Sequence, residues 1–157
     1  VALARPAGVS VEGEVGIVGY SGGAASASTS PEEATAFERE TNVDALAISI
    51  GNVHLQTEKE AEIDFDALRA IERVTTAPLV LHGGSGIPSL VRRQLATGHR
   101  VKKFNIGTEL RMAFGMALRA TLDEKPAEFD RINILSATVP SSRLAAKKAL
   151  QELANQM

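Results

Sequence analysis

Residues 82–86 read HGGSG: an imidazole ends the apolar run from Pro78 to Leu81, and three glycines and a serine follow at once. A second histidine, His54, comes just after another apolar run, DALAISIG over 44–51. Imidazole is a common ligand of zinc and other divalent ions. Glycines leave backbone N–H groups without Cβ obstruction, which suits close approach of an anion. Glu12 and Glu14 stand two residues apart, so a strand puts both on one face. Asn105, Ile106, Gly107 and Thr108 lie where a further apolar run hands over to a helix. The N-terminus of that helix offers free N–H groups and a positive dipole end to a phosphate.

Each feature also has a plainer explanation. A strand-end histidine can be structural, glycines serve tight turns, and Glu12 and Glu14 can simply pair with basic residues. A carboxylate pair on an inward face is costly unless it meets cations, which favours Glu14, and less so Glu12, for a metal or catalytic role. Taken together, two imidazoles at strand ends, a carboxylate on a third strand and two glycine-rich turns point to a metal beside a phosphorylated substrate. A catalytic zinc keeps three protein ligands and an open position. His99 sits among polar residues in TGHRVKK and reads as a solvated surface side chain.

These residues need elements to hold them. Apolar runs over 9–19, 44–51, 77–83 and 101–107 read as strands, the middle two continuous enough for parallel strands covered on both faces. Helical spacing marks 30–41, 64–76, 87–98, 108–125 and 142–157. The first of these opens with Ser30 as N-cap and Pro31 at the first helical position. Strand and helix alternate with short connections, which predicts an α/β fold with a parallel sheet. The functional residue types then fall at the C-terminal ends of the strands, the rim where such sheets bind ligands. GYSGGAASASTS (19–30) reads as a flexible loop, and VALARPAG as the tail of a helix turned by Pro6 and Gly8.

The chain has 157 residues, 44% hydrophobic and 23% charged, with net charge −2, which suits one globular domain and gives no basic face for nucleic acid or membrane. Cysteine is absent, so any metal site uses His, Asp, Glu and water, and a reducing cytoplasm is the expected compartment. The start, without an initiator Met or signal-peptide pattern, suggests a chain cut from something longer.

VSVEGEVG, DALAISIGNVH, PLVLHGGSGIP and KKFNIGTELRMAF, in that order, resemble the class II, metal-dependent fructose-bisphosphate and tagatose-bisphosphate aldolases. The resemblance implies a parallel (β/α)₈ barrel of TIM type, with residues 1–157 as the C-terminal part of that single domain: its last four or so βα units, the N-terminal half missing. It implies cleavage of a ketose 1,6-bisphosphate to dihydroxyacetone phosphate and an aldehyde, or the reverse, with zinc polarising the ketone and stabilising the enediolate. His54 and His82 match two zinc histidines, and Glu14 a glutamate near the metal. Gly83, Gly84 and Ser85 match one phosphate loop, and Asn105, Ile106, Gly107 and Thr108 the other. Val53 and Leu55 match positions that help hold a monovalent cation such as K⁺ or Na⁺.

The resemblance also implies a sugar-phosphate substrate, no nucleic-acid or membrane partner, and a homo-oligomer, dimer or tetramer, in the full-length protein. Three departures stand out. The family's first zinc histidine and its proton-donor aspartate have no counterpart here, so this segment alone is expected to be catalytically silent. Leu55 replaces a glycine. The loop after Gly19 lacks the acidic residues many relatives carry. Arg111, Arg119 and Arg131 are equal candidates for a second phosphate. Two alternatives remain open: another phosphosugar-barrel enzyme (an isomerase or epimerase), and a non-catalytic fragment that binds phosphate or metal.

Overall fold

The structure, a computed structural model, describes residues 1–20, 22 and 26–154. Ser21 and residues 23–25 of the expected flexible loop, and the last three residues of the expected final helix, lie outside the described residues. The chain forms two compact units, 1–105 and 106–157.

The first unit is built on four parallel strands in sequence order: β1 (Glu12–Val15), β2 (Ala45–Ile48), β3 (Leu79–Leu81) and β4 (Val101–Phe104). Helices α1 (Pro31–Thr41), α2 (Phe65–Val74) and α3 (Ser89–Gly98) connect them. Leu46, Ile48, Leu79, Leu81 and Val101 form one core with Ala34, Leu68, Ile71 and Leu95 of the helices. Alternation turns the neighbouring side chains to the other face. Gly13 shows which face is which. A Cβ there would stand 2.6 Å from the Phe37 ring of α1, so Gly13 faces the helices and Glu12 and Glu14 face away from them.

The elements follow the expected order and are shorter. The run over 9–19 narrows to four residues, because Gly16 at φ 88° breaks the extended backbone and Val9 and Ile17 are left exposed. α1 carries the expected cap as a full capping box: Glu33 N–H donates to Ser30 Oγ at 3.2 Å and Ser30 N–H to Glu33 Oε2 at 3.0 Å. Two connections, 16–30 and 49–64, are long rather than short, and both leave the C-terminal ends of strands. The N-terminal stretch makes only a 3₁₀ turn, Arg5–Ala7, ended by Gly8 at φ 68°.

The second unit is a helical hairpin of α4 (Thr108–Glu124) and α5 (Arg131–Ala154). The expected start of α5 at 142 is corrected to Arg131. Ile132 N–H donates to Asp130 Oδ1 at 2.8 Å, so Asp130 supplies the start signal. The helix runs through Pro140, which forfeits one backbone hydrogen bond and hides the continuity in the sequence. Among the described residues no helix is long and apolar enough to cross a membrane.

Candidate functional site

Glycine geometry brings the two strand-end histidines together. Gly83 takes φ 63°, and a Cβ there would run into the backbone of Val53 and stand 3.2 Å from the His54 nitrogen. The bare backbone after His82 therefore lets the β3 end lie directly against the segment that carries His54. The His54 and His82 ring centres are 5.9 Å apart, and the Tyr20 ring lies 5.1 Å from that of His54.

Buried polar groups brace this arrangement. Asn52, fully buried, accepts from Ile50 N–H at 2.8 Å and donates through Nδ2 to the carbonyls of Ile48 at 3.3 Å and His82 at 3.0 Å. His54 N–H donates to Gly19 O at 2.8 Å. Thr29 and Ser49 stitch the two long loops together: Thr29 Oγ1 donates to Val15 O at 2.7 Å and accepts from Ser49 N–H at 2.8 Å. Leu55 stands at φ 56°, a left-handed conformation costly for a side chain with a Cβ.

His82 lies between the two glutamates of β1. Its Nε2 is 2.9 Å from Glu12 Oε1 and its Nδ1 is 3.3 Å from Glu14 Oε2. Glu12 Oε2 accepts in turn from Lys103 Nζ of β4 at 2.6 Å. Burial pushes the Glu12 carboxyl up, but hydrogen bonds from Lys103 and His82, with their charges, outweigh it and hold the group below the usual carboxylate range. A neutral imidazole has one N–H and one lone pair, so only one of the two carboxylates receives a proton. The shorter contact, to Glu12, has hydrogen-bond geometry. In a singly protonated ring the other contact leaves a nitrogen lone pair facing an oxygen.

Such a pair of facing donors suits a cation. Two ligands on one tetrahedral zinc, each at roughly 2.0–2.2 Å, stand about 3.4 Å apart, close to the Nδ1–Oε2 spacing. Two imidazoles on one such ion place their ring centres roughly 5 Å apart, within an ångström of the His54–His82 distance. The residues therefore fit a zinc ion as a partial ligand set. Among the described residues, no three His, Asp or Glu side chains close into a finished cage.

The glycine-rich turn is already partly occupied by its own backbone. Gly84 N–H donates to Asn105 O at 3.0 Å and Gly86 N–H to Gly83 O at 3.1 Å, forming a buried 3₁₀ turn over Gly84–Gly86 that includes Ser85. Asn105 N–H donates to Leu81 O at 3.0 Å, which fixes it beside this turn. Ile106, Gly107 and Thr108 belong to the second unit, with Gly107 at the N-cap position of α4. There the Arg111 guanidinium lies 3.7 Å from where a Gly107 Cβ would stand, which sets Arg111 apart from Arg119 and Arg131.

Three residues important to this geometry escape the sequence reading: Lys103, Asn52 and Gly83 in its packing role. Lys103 carries a usable signal, two positions before Asn105 and so on the same face of its strand. His99 requires a correction. It is not a solvated side chain but is mostly buried, with Nδ1 2.9 Å from Glu72 Oε2 and its ring 5.6 Å from that of Phe65.

The class II fructose-bisphosphate aldolase family model matches residues 1–156, and the chain belongs to that family. It is 38% identical over 156 residues to the 6-phospho-5-dehydro-2-deoxy-D-gluconate aldolase of Shouchella clausii, covering 97% of this chain and 53% of that protein. It is 36% identical over 137 residues to the sulfofructosephosphate aldolase of Alkalicoccus urumqiensis, covering 83% and 47%. The crystal structure of the YdjI aldolase from Escherichia coli K12 superposes with a TM-score of 0.78 at 27% identity, over 98% of this chain and 52% of that one. The fructose-bisphosphate aldolase of Campylobacter jejuni shares the fold, with a TM-score of 0.69 at 21% identity over 96% and 51%. The chain spans about half the length of the curated relatives it matches. Its parallel α/β sheet is part of a TIM-type barrel.

Proposed function

We propose that this chain supplies the metal-binding and phosphate-binding part of an aldolase that cleaves a phosphorylated ketose into dihydroxyacetone phosphate and an aldehyde, or runs the addition in reverse. The observation that carries this reading is His82 held between Glu12 and Glu14 with the His54 ring beside it. His54, His82 and Glu14 would hold zinc. A bound zinc ion supplies Lewis acidity toward a ketone oxygen. Val53 and Leu55 stand as the place for a monovalent cation. The turn at Gly83–Ser85 with Asn105 would bind phosphate, and Ile106 to Thr108 at the start of α4 are further phosphate-binding candidates, so that binding energy remote from the reacting carbons orients them.

The substrate is a ketose 1,6-bisphosphate or a relative with a single phosphate. The names of the two curated relatives favour the second form. One denotes a keto acid phosphate with its phosphate on the carbon next to the ketone, the other a sulfonated fructose phosphate. A phosphate beside the ketone is the half that this chain's turns suit. The far end, phosphate, carboxylate or sulfonate, is the half by which these substrates differ.

Thermal unfolding with and without zinc tests the metal site. Zinc should raise the midpoint of the wild type, because a ligand selective for the native state stabilises it, and should leave His54→Ala and His82→Ala unmoved. Equal midpoints for all three would sink the reading. In the full-length protein that carries this segment, zinc-dependent release of aldehyde from ketose phosphates with different far ends then separates the substrates.

A further inference from the structure

We propose that Glu12, held in turn by Lys103, is a positioning residue that keeps the His82 ring proton on Nε2 and so leaves Nδ1 as the nitrogen that meets a metal. The inference rests on the reading of His82 as a metal ligand and extends it to two side chains that touch neither metal nor substrate.

Four observations carry it. The Glu12–His82 contact, 2.9 Å, is a hydrogen bond, while the Glu14–His82 contact, 3.3 Å, is looser. Glu12 is anchored on its other oxygen by Lys103 at 2.6 Å, so it is fixed from both sides. Its side chain is a quarter exposed, against 39% for Glu14, so Glu12 is the better sheltered of the two acceptors. The backbone that carries the ring is fixed, because Asn52 ties the His82 carbonyl at 3.0 Å and Gly83 packs the chain after it against Val53. A histidine with one proton must choose a carboxylate, and Glu12 has the better geometry and the firmer anchor. Metal-binding histidines commonly donate their other ring N–H to such a carboxylate, which sets the tautomer and raises ligand basicity.

Lys103 has a second effect. It draws negative charge away from the Glu12 oxygen that faces it, so that Glu12 acts as a proton acceptor for His82 without becoming a competing ligand. Glu14, with its looser contact, is left for the ion. Two glutamates two residues apart on one strand thereby take different roles, decided by what stands opposite each.

The test uses the 157-residue chain labelled with ¹⁵N at histidine. Under conditions where the ring carries one proton, long-range ¹H–¹⁵N spectra should show His82 protonated at Nε2. In Glu12→Met the proton should move to Nδ1, where Glu14 accepts it, and zinc affinity by chelator competition should fall about 10–100-fold. Lys103→Met, a change at a half-exposed side chain, should shift both readouts the same way by less, and it keeps the test decisive if Glu12→Met does not fold. Retention of the Nε2 proton in both variants, with zinc affinity within about a factor of two of wild type, overturns the positioning role and leaves the metal reading intact. Equal zinc uptake by wild type, His54→Ala and His82→Ala overturns the metal reading, and the spectra alone then decide how His82 is held.

Discussion

Carboxylates do different work at the two ends of the sheet. At the N-terminal ends of β3 and β4, Glu38 and Glu72 both accept from backbone amides, and Glu72 also meets an imidazole. Glu38 accepts from the Thr76 and Ala77 amides at 2.8–3.1 Å and from the Thr76 hydroxyl at 2.6 Å. Glu72 accepts from the Arg100 amide at 2.6 Å and meets His99 at 2.9 Å, while the Arg100 guanidinium donates to Glu72 O at 2.8 Å and Thr75 Oγ1 at 3.0 Å. These glutamates tie helices α1 and α2 to the entries of the next strands. At the other end Glu12 and Glu14 face an imidazole and an ammonium, groups that exchange protons or accept metals. Backbone amides do neither, so the amide bonds that Glu38 and Glu72 accept set them apart as stabilising carboxylates, Glu72 even though its second oxygen meets His99. Left-handed backbone at residues with a Cβ occurs at both ends: Asn42 at φ 53° closes α1 before β2, and Leu55 at φ 56° lies at the rim that holds the histidines.

The largest expected effect is at the lower end. Glu38→Ala would strand two amides and a hydroxyl, and Glu72→Ala one amide and a histidine, so each should lose about 2–3 kcal/mol in urea unfolding. The pH dependence has a definite sign. In both groups burial raises the pKa, but hydrogen bonds and nearby positive charge outweigh it and hold the carboxyl below its ordinary value of 4.5. A depressed folded-state pKa gives stability that is present above the unfolded value and lost as pH falls through the folded one. The wild type should therefore lose stability below pH 4.5, and Glu38→Gln and Glu72→Gln should flatten that acid limb. An unchanged limb in both would show that these carboxylates do not hold the strand entries.

How much of this the sequence shows depends on the range of the interaction. The parallel order of strands and helices follows from periodicity, and the cap at Ser30 from a local motif. His54, His82 and Glu14 stand out because rare residue types end apolar runs. His99 misleads because its polar neighbours in sequence are not its neighbours in space: Glu72 and Phe65 come from α2. Lys103 and Glu12 are 91 residues apart, and only the sheet brings them together. Pro140 misplaces the start of α5 because helix breakers are weighed locally, whereas α5 continues through it while packed on α4. Gly83 is legible as a glycine but not for its reason, since the Val53 backbone it clears is distant in sequence.

At the upper end the expected sign reverses. Leu55 at φ 56° is nearly half exposed, so its side chain gives little packing in return for its conformation. Leu55→Gly should relieve the left-handed strain of roughly 1–2 kcal/mol, less the greater backbone entropy of an unfolded glycine, for a net gain of about 0.5–1 kcal/mol. Urea unfolding of the variant checks this. A loss of stability would mean that Leu55 packs on the rim in a way that compensates its backbone.

The smallest effect should come from Glu14. Its side chain is 39% exposed and its contact with His82 is long, so Glu14→Gln should change zinc-free stability by no more than about 0.5 kcal/mol. A structural carboxylate such as Glu38 would not behave this way. The same substitution should weaken zinc binding, and a tenfold loss of affinity would remove about 1.4 kcal/mol of zinc-dependent stabilisation at saturating metal. Unfolding measured with and without zinc separates the two numbers. If Glu14→Gln costs as much without zinc as Glu38→Ala does, then Glu14 belongs with the glutamates that hold the fold, and the distinction between the ends of the sheet fails where it matters most for chemistry.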